Sequence, residues 1–469
     1  MMSLTLPMTT EAPRQSHIQA PLAHLIGIRG SGMTALAEIL IDLGWRVSGS
    51  DHQCDSVLNH DSIANLKVYT GHRAEQVPNN ADIVVFSSAI SIDNPERKIA
   101  KTHSIPSLSY PEMLAELMKA RSGICIAGTH GKSTTSAMTA HILKQAGLDP
   151  SAAIGAHMLN WKRSGFAGSG TWFIAESCEY KKNFLKLSPT IGVILGIEHD
   201  HFDCFPSLEQ VVDAFREFAD QIPSSGILLI RDDCPLTSQI PPSVGAEIQS
   251  FSFNQGSDWW ATNLNQTNGI FRFRVFHKGT YFGSFHLHVP GKHNVLNALA
   301  AIALAHNVGI PIHLIQQSLN SFQGLQRRFE TVGSWNGVTL INDYAHHPTE
   351  IKETLKTARQ VFGNRRIWCV FQPHQMERTL ALRNDFAESF SLADHVMINT
   401  IYAARETKSD RTSINAETLA SDIAHQGVAT IPCYCRESIV QTLQDQLKTG
   451  DVLITMGAGN IGTLCNAFL

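Results

Sequence analysis

A lysine, several hydroxyls and two glycines fall within seven consecutive positions, Gly128-Thr129-His130-Gly131-Lys132-Ser133-Thr134. Glycines let backbone N–H groups approach phosphate oxygens, an ammonium group reaches the terminal phosphates, and the hydroxyl beside it ligates Mg²⁺. The chemistry expected of this run is the binding of ATP with Mg²⁺. It departs from the common G-x-x-x-x-G-K-[ST] form, because Ile126 stands where the first glycine is expected and Gly128 follows two residues later. Its flanks suit a phosphate loop. Residues 124–127 read as a short buried strand, and Met138, Ile142, Leu143 and Ala146 form the apolar stripe of a helix closed by Gly147.

Acidic and histidine residues recur at predicted strand ends. A strand over 172–175 runs into Glu176-Ser-Cys-Glu179, and one over 191–197 ends in Glu198-His-Asp-His201. Near a phosphate loop such groups bind Mg²⁺ and aid phosphoryl transfer, since a hard cation wants oxygen ligands and shields phosphate charge. Glu198, His199, Asp200, His201 and Asp203 also suggest zinc, the poorer reading because adjacent strand residues point to opposite faces. Without the loop nearby, a solvated polar loop accounts for them equally well. Further on, Gly291-Lys-His-Asn294-Val-Leu-Asn297 opens an apolar helix over 299–305. Its asparagines suit an adenine edge, although Asn294 as a plain N-cap is an equally good local account.

The elements that must position these groups alternate strand and helix. In the first hundred residues a strand at 24–26 enters Gly27-Ile-Arg29-Gly30-Ser31-Gly32, and Met33, Leu36, Ala37, Leu40 and Leu43 then keep helical spacing. Strands at 46–49 and 83–86 end at Ser50-Asp51 and Ser87-Ser88. This pattern predicts a doubly wound, Rossmann-like domain whose ligand sits at the carboxyl ends of its strands. Gly27, Gly30 and Gly32 are then expected at a diphosphate and Asp51, about 20 residues on, at a ribose. Arg29 takes the place of the middle glycine of the dinucleotide fingerprint, which argues against a nicotinamide-dependent oxidoreductase. The one full match to that fingerprint, Gly457-x-Gly459-x-x-Gly462, ends seven residues from the last residue and cannot open a βαβ unit of about 30 residues, so it is expected as a turn.

A chain of 469 residues implies two or three domains, and 43% hydrophobic residues are ample for their cores. A net charge of −4 and a pI near 6.6 argue against a nucleic-acid or membrane-surface partner. Nine cysteines without C-x-x-C spacing fit reduced thiols in the cytoplasm, and Cys433 and Cys435 are too close and isolated for a zinc site. No run approaches the ~18 apolar residues of a membrane span. Residues 1–21, with Pro7, Pro13 and Pro21, lack a signal peptide's apolar core and are expected to be a disordered tail.

GIRGSGM, SSAI, AGTHGKST, GKHNVLNALAA, RRFE, DYAHHPTE and FQPH follow one another in the order and spacing of a known family. From residue 24 to residue 462 the chain resembles the bacterial Mur ligases, most nearly the branch that joins L-alanine to UDP-N-acetylmuramate. The resemblance implies three α/β domains. They are a Rossmann-like UDP-sugar domain over 22–122, a central P-loop ATPase domain over 123–323, and a Rossmann-like domain over 324–469 that closes over the amino acid.

The same resemblance implies roles for residues. Gly27, Gly30, Ser31, Gly32, Asp51, Ser87 and Ser88 would meet the sugar nucleotide. Lys132 and the Ser133 or Thr134 hydroxyl would serve the phosphates, Glu179, His201 and Ser133 would hold Mg²⁺, and His293 and Asn294 would contact adenine. Arg327 and Arg328 form the arginine pair before the third domain, where closure is expected, and Asp343, Tyr344, His346 and His347 the motif that meets nucleotide and amino acid. Arg327 and His346 are implied as catalytic, Arg328 and Asp343 as nucleotide contacts and Tyr344 as a substrate contact.

There are departures. Cys178, Tyr180 and Lys181 replace the family's Asp, Ser and Asp, Gly196 replaces an Asn, and Arg29 a Gly. Gln375 replaces an arginine expected to grip the amino acid's carboxylate, leaving Arg378, with Arg405 as the compensating cation; Thr400 and Arg405 alter a further motif. The implied reaction passes the ATP γ-phosphoryl group to the lactyl carboxylate, and the amine attacks the acyl phosphate. A monomer or weak homodimer is implied. Two alternatives remain, a recycling ligase that adds a tripeptide to the same sugar nucleotide and a catalytically inactive nucleotide-binding regulator.

Overall fold

Alternating short buried runs and amphipathic helices build three sheets in the computed structural model, which describes residues 20–52, 66–240, 245–267, 269–403 and 414–469. The expected tail, apart from residues 20–21, lies outside the described residues, and so does Arg405.

The first sheet contains β1 (Leu22–Ile26), β2 (Arg46–Asp51), β3 (Leu66–Thr70), β4 (Ile83–Phe86) and β5 (Ser107–Ser109), all parallel in the order β3-β2-β1-β4-β5. Every residue of β1 is buried, as expected of a parallel strand covered by helices on both faces. The order reverses at β1, so Gly27, Asp51 and Ser87 meet at one crevice. The helix Ser31–Asp42 leaves that crevice and buries Met33, Leu36, Ala37 and Leu40. Gly32 has a packing task there: a Cβ on it would lie 2.8 Å from the ring of Tyr110.

The second sheet has ten strands: β6 (Ser122–Ala127), β7 (Ser151–Met158), β8 (Arg163–Phe166), β9 (Trp172–Glu176), β10 (Pro189–Ile194), β11 (Ile227–Arg231), β12 (Glu247–Ser252), β13 (Trp259–Thr267), β14 (Ile270–His277) and β15 (Thr280–Leu287). Its order is β15-β14-β13-β12-β11-β10-β6-β9-β7-β8. The strand before the phosphate loop, β6, thus lies between β9, which runs to Glu179, and β10, which runs to His201. All three are parallel, so their carboxyl ends deliver these residues to one place. The predicted strand 191–197 stops early, at Ile194: beyond it the chain bends toward the loop, and the carbonyl of Gly196 accepts the N–H of Thr129 at 2.9 Å.

The third sheet has β16 (Glu330–Trp335), β17 (Val338–Asp343), β18 (Ile367–Phe371), β19 (His395–Asn399), β20 (Ala429–Cys433) and β21 (Val452–Met456), in the order β16-β17-β21-β18-β19-β20 and parallel except for β16. Gly457 and Gly459 lie in the expected turn after β21, while Gly462 falls in the short 3-10 helix Ile461–Ala467 that follows it.

Polar contacts join the first two parts. Glu38 on the helix Ser31–Asp42 accepts the N–H groups of Ser164 and Gly165 in β8 at 2.8 and 2.7 Å. Ser88 accepts from Lys181 and Asn183. Among the described residues, no helix is long and apolar enough to cross a membrane, and the eight described cysteines are free thiols.

Candidate active site

The phosphate loop closes where β6 ends. Gly131 precedes the helix Lys132–Gln145 at φ 82°, and a Cβ there would collide with Asn297 Oδ1, so neither the backbone nor the neighbouring helix accepts a side chain. Lys132 curls back over the loop. Its Nζ donates to the carbonyls of Gly128 at 2.5 Å and Thr129 at 3.1 Å and lies 2.9 Å from Glu179 Oε2. Glu179 is 2% exposed. Although burial disfavours its charge, Glu179 and the other acidic neighbours hold the Lys132 ammonium above its ordinary range.

His201 completes this group from the other side, with Nε2 3.7 Å from Glu179 Oε1. Its φ of 57° is a left-handed conformation that histidine adopts more readily than most residues. Cys178 brings a thiol to the same place, and donor atoms of Cys178, Glu179 and His201 all lie within 4.8 Å of one another. Burial and the charge of Glu179 push that thiol up to about 12. The Ser133 hydroxyl points elsewhere, donating to Glu176 Oε1 at 3.0 Å, while Glu176 Oε2 accepts the N–H of Gly155.

A second cluster ties the loop to the third domain. His130 Nδ1 lies 3.1 Å from Glu350 Oε1 and Nε2 lies 3.4 Å from Glu198 Oε2. Thr349 donates to Glu198, and His346 and His347 flank the same two carboxylates. Burial alone would lower His130, but Glu198 and Glu350 raise it to about 10, whereas burial and the charge of His130 lower His347 to about 4. A base raised above its ordinary 6.5 stabilises the contact fully below that pH and loses it as pH climbs through about 10. Hydrogen-exchange protection of the helix Pro348–Phe362 is therefore expected to fall between pH 6.5 and about 10, and His130→Gln to flatten that dependence. An unchanged profile in the variant would remove His130 from the contact.

Arg378 was expected at the amino acid, yet its guanidinium is engaged. Nε and Nη2 lie 2.8 and 2.7 Å from Asp200 Oδ1, and the two residues are 3% and 8% exposed. Burial opposes the charge of Asp200, but His201 and Arg378 hold its carboxyl well below the usual range. Arg327 donates to the carbonyls of Gly457 and Gly459 at 2.6 and 2.8 Å, so it braces the turn after β21. Arg327 and Arg328 both lie over the ring of Tyr344. The oxygens of Asp343 accept the N–H groups of Phe329 and Ala345, and burial raises its carboxyl.

Asn294 is not the N-cap of its helix. Gly291 holds that position, and Asn294 Nδ2 donates to the Pro290 carbonyl at 2.6 Å while Oδ1 accepts from Asn297. His293 is half-exposed and faces Glu353 at 3.9 Å. In the first crevice Asp51 accepts the Arg29 N–H at 3.0 Å, Gly30 caps the helix that Ser31 begins, and the Ser87 hydroxyl accepts the Ala89 N–H. Sequence reasoning missed Glu350 as a partner of the loop. Its signal was the capping-box spacing His347-x-x-Glu350, which points to a helix start and says nothing of His130.

Three family models match the chain: the catalytic domain of the Mur ligase family over 22–122, the Mur ligase middle domain over 126–305, and the Mur ligase glutamate ligase domain over 327–459. UDP-N-acetylmuramate--L-alanine ligase of Desulfitobacterium hafniense (strain Y51) is 41% identical over 444 residues, 93% of this chain and 97% of that one. The ligase of the same name from Geobacter sp. (strain M21) is 39% identical, covering 93% and 95%. The crystal structure of UDP-N-acetylmuramate-alanine ligase from Thermotoga maritima superposes with a TM-score of 0.81 at 25% identity, covering 95% and 97%. A murein peptide ligase from Psychrobacter arcticus 273-4 shares the fold at a TM-score of 0.72 and 24% identity, covering 96% and 98%. With its three parts matched in order and these relatives aligned along nearly its whole length, the chain belongs to the Mur ligase family.

Proposed function

We propose that the chain joins L-alanine to the lactyl carboxylate of UDP-N-acetylmuramate at the expense of ATP, in building peptidoglycan precursors. The observation that carries this reading is the meeting of Lys132, Glu179 and His201 at the phosphate loop, in a chain whose relatives bear that activity's name. A carboxylate does not form an amide directly at neutral pH, because its leaving group would be an oxide. Transfer of the γ-phosphoryl group makes an acyl phosphate, which the amino nitrogen attacks with loss of phosphate.

In this reading Lys132 releases its loop carbonyls and Glu179 to place its charge on the transferring group. Glu179 and His201 would hold Mg²⁺. The donor set fits a divalent cation, since Glu179 is buried and already has a cation, the Lys132 ammonium, 2.9 Å away. The Ser133 hydroxyl joins that set only by turning from Glu176. Mg²⁺ bound there neutralises charge on phosphate oxygens. The crevice at Gly27, Gly30, Ser31, Gly32, Asp51, Ser87 and Ser88 would take the sugar nucleotide, Gly32 also making room for the Tyr110 ring. His293 and Asn294 stand at the helix start proposed for adenine. His346, Tyr344 and Asp343 would shape the closed site beside Glu350.

The test is phosphate release from ATP with UDP-N-acetylmuramate across a panel of amino acids and the tripeptide of the recycling reaction. L-Alanine is expected to give product, with glycine and L-serine weaker. Product from the tripeptide alone would replace this reading with the recycling ligase, and no product from any acceptor would leave the inactive regulator.

A further inference from the structure

The thiol of Cys178 stands where the metal reading, on which this inference rests, places a cation. We propose that Cys178 is a third protein ligand beside Glu179 and His201, and that it makes the site prefer thiophilic divalent ions such as Cd²⁺ and Co²⁺ to Mg²⁺. The geometry supports a shared ion. Donor atoms of the three residues lie within 4.8 Å of one another, and an ion about 2.0–2.3 Å from each needs them only modestly closer. The three side chains come from the segments that follow β9 and β10, the strands on either side of β6, rather than from one loop.

Cys178 is only partly buried, so an ion reaches it, whereas Cys125 and Cys369 lie in the cores. Carboxylate and hydroxyl oxygens suit Mg²⁺, while a thiolate shifts preference toward softer ions. Binding exchanges the thiol proton, which leaves to solvent, for a metal–sulfur bond, with no change of oxidation state. Such an ion would compete with Mg²⁺ for the nucleotide's own position.

The experiment titrates the full chain with Co²⁺ and follows the sulfur-to-cobalt charge-transfer band, then measures Cd²⁺ and Mg²⁺ affinities by calorimetry. Wild type is expected to develop the band at one equivalent and to lose it to excess Mg²⁺ with ATP. Cys178→Ser and Cys178→Ala, checked for folding by thermal melting, are expected to lack it. Their Cd²⁺ affinity should fall by at least the roughly tenfold that loss of an outer-shell partner costs, with a smaller change for Mg²⁺. Glu179→Gln and His201→Ala in the otherwise native chain should weaken the same band. A wild-type chain without the band, a band kept in both Cys178 variants, or one indifferent to Glu179→Gln and His201→Ala overturns the proposal. Failure of wild type to bind Mg²⁺ with ATP would count against the nucleotide reading instead, since the cobalt band decides Cys178 without nucleotide.

Discussion

Lys132→Ala is expected to lower kcat for ligation by on the order of 10²–10³, the loss seen when one preorganised donor to a developing charge is removed. Lys132 is the one cationic residue among Gly128 to Thr134, apart from His130, whose ring is held by Glu198 and Glu350. The variant also leaves Glu179 at 2% exposure without its 2.9 Å partner. Removing one member of a buried pair costs roughly 3–5 kcal/mol, so a lower melting temperature accompanies the loss of activity. Lys132→Ala combined with Glu179→Gln removes the orphaned charge. It is expected to regain much of the melting temperature and none of the turnover. Phosphate release and melting curves on the three proteins separate the effects. Near-normal turnover in a folded Lys132→Ala chain would sink the ATP-site assignment.

The second large effect is expected at the pair between Arg378 of the third domain and Asp200 of the second. Both are nearly buried, and Arg378 places Nε and Nη2 on one oxygen of Asp200. Arg378→Ala strands a buried carboxylate, at a cost of roughly 3–5 kcal/mol to the docking of the third domain. Solution scattering should report a larger radius of gyration, and activity should fall. Asp200→Ala should do the same, and the double variant should be no worse than either, so that the double-mutant cycle returns a coupling energy of roughly 3–5 kcal/mol. A clamp of this kind changes KM for all three substrates together. A rise confined to the amino acid in Arg378→Ala, and absent in Asp200→Ala, would return Arg378 to the role of carboxylate grip implied by the family resemblance.

Asn294 shows how a local reading goes wrong. Asparagine at the mouth of an apolar helix is a natural N-cap, but the helix begins at Lys292 because Gly291 takes the cap, and the Asn294 side chain turns back to Pro290. Gly32 shows a task that the glycine spacing alone does not predict. Its absent Cβ makes room for Tyr110, a residue from another element that the glycine spacing does not reveal.

What the sequence determined by itself was local. The strand, glycine loop and helix around Lys132, the strand at Ile83–Phe86, and the turn after Val452–Met456 were all legible, because hydrophobic period and glycine placement act over a few residues. The tertiary structure alone decided which ends meet. Lys132 and Glu179 are 47 positions apart and Arg378 and Asp200 are 178 apart, and both pairs follow from packing rather than local preference. Strand order in a sheet depends on how crossovers bury their apolar faces, a property of the whole domain. A polar side chain finds its partner only after that burial has removed water from both, which is why Ser133 turned to Glu176, Arg327 to the last glycine turn and His130 to Glu350.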